Sequence, residues 1–159
     1  MLKPMTRWWI VLILCRLALC AQQVPANPVD DYSGMYAFIR DGEFLQLTIE
    51  EAGRVTGFIS RYGDLESDRG VFLDQFFKQG KLEGNKLTFT TDTVHSVWYE
   101  FKGSVDRGQG KDRTEEDYYV IRGTLTENTI DANKKTSART RQVAFKSFPL
   151  DAALPKTSN

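Results

Sequence analysis

Beyond residue 20 the chain contains no cysteine, its only two being Cys15 and Cys20. No disulfide can form inside the remainder, and no thiol is there for nucleophilic or redox chemistry. Histidine is almost as scarce, with His95 standing alone. Zinc sites draw on several His and Cys ligands, so one imidazole does not make one. The acid-rich GDLESDRG (63–70) lacks the D-x-[DN]-x-[DN]-G spacing of a calcium loop. No metal or cofactor is expected. His95 is the one imidazole available as a general base, but the nucleophile motif G-x-S-x-G is missing. The sequence therefore offers no catalytic residue, and a hydrolase of unknown type ranks third among the readings of function.

Neither sign of charge is in excess, with 21 basic and 21 acidic residues. Three of the basic ones, Lys3, Arg7 and Arg16, fall in the first 20 positions, where there is no acid, so the rest of the chain is three charges negative. Such a balance excludes nucleic acid and anionic membranes as main partners. Long apolar runs are also lacking. The run WWIVLILC (8–15) is well short of the ~20 residues that cross a bilayer. Cations before it, and the small residues Ala18 and Cys20 after it, give the order of a secretory signal cleaved before Ala21. The expectation is an exported protein, periplasmic or extracellular. The alternative is a lipid anchor on Cys20, which would be its route to a membrane. Residues 21–31, with two prolines, read as a flexible tether, 32–149 as one domain and 150–159 as a disordered tail.

Helical spacing is absent from that domain, and period two takes its place. Leu45, Leu47 and Ile49 alternate with Phe44, Gln46 and Thr48; Leu87 and Phe89 alternate with Lys86, Thr88 and Thr90. Tyr119, Ile121 and Leu125 alternate with Tyr118, Val120, Arg122 and Thr124. These are strands with one buried face. RDGE (40–43), EEAGR (50–54) and EGNK (83–86) are hairpin signals between them. Eight strands follow, at 33–40, 43–50, 54–62, 74–82, 86–92, 96–105, 117–126 and 138–148. The fourth, within VFLDQFFKQG, is also compatible with an initial helical turn. Successive hairpins make an up-and-down antiparallel meander, and eight strands suffice to close a barrel without free edges.

Glycine recurs in similar apolar contexts, at Gly57, Gly84, Gly103 and Gly123. Glycine inside a strand weakens it unless the chain must bend or approach closely there. A hairpin end accounts for Gly84, and a bend or close approach accounts better for Gly103. In SGMYAF, Gly34-x-Tyr36 resembles the Gly-x-Trp start of lipocalin and avidin barrels, with tyrosine in place of tryptophan. The repeated x-G-[ST]-[VL] strands are similar to those of avidin-type meanders. What that resemblance implies is a small calycin-like barrel that binds an apolar or amphiphilic ligand in its mouth.

The stretch HSVWYEFKGSV (95–105) holds the single histidine and Trp98, the only tryptophan outside the first ten residues. Alternation sends Val97, Tyr99, Phe101, Gly103 and Val105 inward, and Ser96, Trp98, Glu100, Lys102 and Ser104 outward. It is chiefly a strand. No acid falls on an apolar face, Glu100 included. In ARTRQVAFKSF, Arg139 and Arg141 share a face with Val143 and Phe145. If that face lines the barrel, Arg141 reaches into the mouth, where its guanidinium holds a ligand carboxylate by a two-pronged hydrogen bond. Tyr36 and Tyr99 then supply hydroxyl partners. The alternative is that Arg141 closes one end by stacking on Tyr36 and bonding to carbonyls. A rival reading of the whole chain is a filled barrel acting as a structural or protein-interaction module, or as a homo-oligomer. Its contact patch is then Trp98 with Tyr118 and Val120 of the next strand.

Overall fold

Strands form where branched and aromatic residues alternate with polar ones, and they stop where Gly, Asp and Asn permit tight turns. In the computed structural model, which describes residues 31–64 and 66–150, this pattern gives eight strands. They are β1 (Gly34–Ala37), β2 (Phe44–Ile49), β3 (Val55–Tyr62), β4 (Phe72–Glu83), β5 (Lys86–Thr91), β6 (Val97–Arg107), β7 (Tyr119–Ile130) and β8 (Thr136–Lys146). Each pairs antiparallel with its neighbour in sequence, in the order β1 to β8. The expected all-β meander is what forms. β4 is extended throughout, with a bulge between Phe77 and Gln79. The leader with Cys15 and Cys20, residues 21–30 of the tether and 151–159 of the tail lie outside the described residues.

The sheet curls into a half-barrel rather than sealing along its whole length. Tyr36 and Ser147 form one antiparallel bridge, and the Phe148 N–H donates to the Met35 carbonyl at 2.8 Å. Among the described residues no other backbone pairing joins the first strand to the last. The reason is length: β1 has 4 residues and β8 has 11, so most of β8 has no strand to face. The expected loss of both edges is therefore only partial. The uncovered edge is cationic, carrying Arg139 and Arg141 after Lys134 and Lys135 of the preceding turn, a composition that discourages pairing with another chain.

The half-barrel has two unlike ends. The β1–β2, β3–β4, β5–β6 and β7–β8 connections lie at the upper end. The other connections and the bridge to Ser147 mark the lower end. Between them the middle is filled: Leu45, Leu47, Ile59, Leu87, Ile121 and Leu125 have no solvent exposure. Aromatic rings run across it in series. Phe77 stacks on Phe89 (centroids 4.4 Å apart) and Phe89 on Phe101 (5.1 Å); Phe145, Phe38 and Tyr99 continue the line.

That line depends on a glycine pair. Gly103 and Gly123 are direct partners across β6 and β7, and the Phe101 ring lies over them. A Cβ on Gly123 would sit 2.4 Å from the Lys102 carbonyl oxygen, 2.5 Å from Gly103 Cα and 2.9 Å from Phe101 Cζ. Close approach, rather than hairpin geometry, is thus the reason for both residues, whereas Gly84 occupies the β4–β5 turn at φ +62° with open space around it. We predict that Gly123→Val lowers unfolding stability by about 3 kcal/mol through overpacking, while Gly84→Asn changes it by less than about 1 kcal/mol. Urea unfolding of the two variants checks this, and equal effects would contradict it.

Candidate functional site

Polar side chains collect inside the upper end. Alternation from Val55 and Ile59 carries Arg61 inward, and the step before Leu45 carries Glu43 inward as well. Both side chains are only 2% exposed. A buried charge is tolerable only if it is paired and hydrogen-bonded, and these are. Arg61 donates from Nε to Gln75 Oε1 (2.6 Å), and from Nη1 to Asp64 Oδ2 (2.9 Å) and the Tyr62 carbonyl (3.2 Å). Gln75 is wholly buried, and its Nε2 donates to the carbonyls of Asp92 and Val97. Glu43 accepts from Arg40 Nε (2.7 Å) and from the backbone N–H of Arg40 and Tyr62.

A second group continues from the first across the end. The Arg61 guanidinium lies 5.9 Å from the centre of the Tyr99 ring. The Tyr99 hydroxyl donates to Glu127 Oε2 at 3.4 Å, and Arg141 Nη2 donates to the same oxygen at 2.8 Å. Glu127 follows Leu125 on the inward face of β7, so an acid does reach the apolar face, contrary to expectation. The strand runs four residues past its expected end at 126 and brings Glu127 with it. Arg141 is about a third exposed, yet its Nε is buried and has no acceptor among the described residues. Burial raises the pKa of the Tyr99 hydroxyl well above its ordinary value, against the pull of Arg61. Tyr99 is therefore a neutral donor at any physiological pH.

Of the four residues expected to meet a ligand, the structure brings together two, Tyr99 and Arg141, through Glu127. Arg139 is paired in register with Glu127 but is exposed on the open edge. Tyr36 belongs to the lower end, where its hydroxyl donates to the Tyr32 carbonyl at 2.7 Å. It therefore cannot share a mouth with Tyr99, and Arg141 pairs with Glu127 rather than stacking on it. Burial also raises the Tyr36 pKa strongly.

The proposed contact patch does not exist as one surface. Trp98 faces Asn128, whereas Arg107 faces Tyr119 at the far end of the same ladder, so Trp98 and Tyr118 are about 30 Å apart at a rise of ~3.3 Å per residue. Antiparallel pairing sets the start of one strand against the finish of the next. Val120 is only 1% exposed, and Tyr118 is covered by the Arg107 guanidinium, 3.3 Å from its ring centre. His95 sits in the β5–β6 turn at φ +48°, with Nδ1 2.6 Å from the Asp68 carboxylate. No group of three or more metal-ligating side chains occurs among the described residues. A shallow groove of about 920 Å³ runs outside β4–β7 past Arg54, Lys81, Glu100 and Lys102.

No protein-family model matches the chain, and no curated protein matches it in sequence. Solved structures do match in fold. Rhizavidin in complex with biotin aligns at TM-score 0.54 and 11% identity, over 72% of this chain and 98% of that one. Apo short afifavidin aligns at 0.53 and 15%, over 75% and 97%. The short afifavidin–biotin complex aligns at 0.51 and 14%, over 72% and 86%. The likeness establishes an avidin-like fold.

The two raised tyrosines carry a pH signature. Unfolded tyrosine titrates near 10, so above about pH 10 the unfolded chain releases protons that the folded chain keeps, and stability falls as pH rises. Below that pH the contribution is complete. The urea midpoint should drop between about pH 9.5 and about pH 11.5, and drop less steeply in Tyr36→Phe and Tyr99→Phe. Profiles parallel to wild type would contradict the burial of these hydroxyls.

Proposed function

We propose that this protein is an exported, non-catalytic barrel that binds a small amphiphilic molecule at its upper end, with Arg141 as the anchor. The observation that carries the reading is the buried Arg141 Nε, a charged donor with no acceptor among the described residues. An unmet donor of this kind costs on the order of 1–3 kcal/mol; the Arg141 side chain is 29% exposed, and a rotation that carries Nε out to a ligand carboxylate or carbonyl would satisfy it. Tyr99 and Phe38, whose rings meet edge to face 5.5 Å apart, offer the apolar contact beside it. Two fold neighbours hold biotin, a small molecule with a carboxylate, a polar ring and an aliphatic chain. The filled middle of this barrel limits a ligand to the upper layer. Export rests on the order of charge, apolar run and small residues in the leader.

A second reading is favoured by the same filled middle together with Phe76, which is 58% exposed. On that reading the barrel is a solid scaffold working through its outer face.

The ligand reading is tested by thermal unfolding in the presence of biotin, lipoate, medium-chain fatty acids and aryl carboxylates. Occupancy at about 100 times Kd adds ~2.7 kcal/mol, which for a domain of this size raises Tm by roughly 10 °C. We expect at least one of these carboxylates to do so, and Arg141→Gln to remove the shift while altering its own Tm by only a few degrees, on the order of 1 kcal/mol. A flat response across the panel, or a shift that survives in Arg141→Gln, would contradict the proposal.

A further inference from the structure

The outer face of β2–β4 is aromatic where the outside of a barrel is ordinarily polar. Phe44 meets Phe58 with ring centres 5.8 Å apart, and Phe58 meets Phe76 at 5.5 Å. Tyr62 stacks on Phe72 at 4.4 Å. These rings surround one polar pair, in which the Ser60 hydroxyl donates to Asp74 Oδ1 at 2.7 Å. Phe76 and Phe72 are 58% and 45% exposed. Burying them would remove from water apolar surface that the fold leaves exposed, and such patches mark contact surfaces.

Charge placement identifies the occupant. Asp74 and Lys78 are both exposed, on the same strand, two residues to either side of Phe76. Neither takes part in the ion pairs among the described residues. A two-fold axis lying in the contact plane, perpendicular to β4 at Phe76, reverses the strand. Asp74 of one copy then faces Lys78 of the other, twice, while Phe76 and its register partner Phe58 each meet their own equivalents. Such a contact is isologous and closes on itself. The face is roughly 25 Å long and three strands wide, about 350 Å² in plan, which is below the ~800 Å² per partner of a standard interface and suits a reversible contact between copies. Aromatics lie at its centre and charges beside them, as interfaces require.

We propose that the β2–β4 face is a two-fold dimer interface between copies of this chain, centred on Phe76 and set in register by Asp74 and Lys78. The proposal stands on this face alone and is independent of any ligand at the upper end. Sedimentation velocity over a concentration series tests it. We expect a monomer–dimer equilibrium that Phe76→Ser weakens at least about tenfold. Asp74→Lys and Lys78→Asp should each weaken it about fivefold or more by setting like charges opposite one another. The double variant Asp74→Lys/Lys78→Asp should return to within about threefold of wild type, because the swap restores both pairs. All the changed positions are at the surface, and near-ultraviolet circular dichroism confirms that the fold is kept. A strictly monomeric protein, which would leave the face to a different partner, would overturn the proposal. So would a dimer indifferent to Phe76→Ser, or a charge swap no better than the single changes.

Discussion

The fold depends on how Ser147 ties its two ends together. Its side chain accepts from the Tyr119 N–H at 3.0 Å, its own N–H donates to the Tyr119 carbonyl, and its carbonyl accepts from Asp117. The same residue bridges to Tyr36, and the next, Phe148, donates to Met35. One nearly buried serine thus joins β7, the end of β8 and β1. Without that knot a meander of eight strands is an open twisted sheet, since each strand otherwise pairs only with its sequence neighbours. With it, Tyr36 and Phe145 face a common interior and the aromatic series from Phe77 to Tyr99 becomes a core.

Closure at one end only has a chemical consequence at the other. Where the first and last strands do not meet, the interior is not sealed by backbone, and side chains fill the opening. Arg61, Glu43 and Gln75 do so with nearly complete burial: Arg61 donates to Gln75, Asp64 and a main-chain carbonyl, Gln75 donates to main-chain carbonyls, and Glu43 accepts from the Arg40 side chain and from main-chain N–H groups. Such a network gains little net stability over an apolar plug, because desolvation offsets most of the attraction. Its value lies in fixing direction: it holds the Arg61 guanidinium at a defined position beside Tyr99, whose hydroxyl meets the Glu127 carboxylate that also holds Arg141. The lower end uses similar residue types differently. There Arg107 and Arg113 cover the rings of Tyr118 and Tyr119, and the arginines serve as lids on aromatic surface.

Much of the fold was legible in the alternation of residues. The inward set Val97, Tyr99, Phe101 and Val105 is buried or half-buried as that alternation requires, and the placement of Arg141 with Val143 and Phe145 on one face of β8 agrees with its register. Close approach at Gly103 was legible too. What alternation does not reveal is height along the barrel axis. Tyr36 and Tyr99 have the same inward parity but belong to opposite ends, and Trp98 and Tyr118 have the same outward parity but lie at opposite ends of one ladder. Strand length was the other loss. Glu127 and Arg61 sit at or beyond the ends of their apolar runs, where polar residues read as loop. The aromatic outer face was hidden in VFLDQFFKQG, because Phe72 and Phe76 take the outward positions of a regular alternation that precedes the bulge after Phe77, so rings stand where polar residues are ordinarily read, on a strand that resembles a helical start.

A curled sheet pinned shut at Ser147 and open along the rest of β8 has a distinct pattern of residue-resolved amide hydrogen exchange. Ser147 and Phe148 should exchange as slowly as the core of β6 and β7. Between Thr136 and Ala144, protection should alternate, with amides directed away from β7 exchanging fast. Uniform protection along β8, or rapid exchange at Phe148, would contradict closure at that one point.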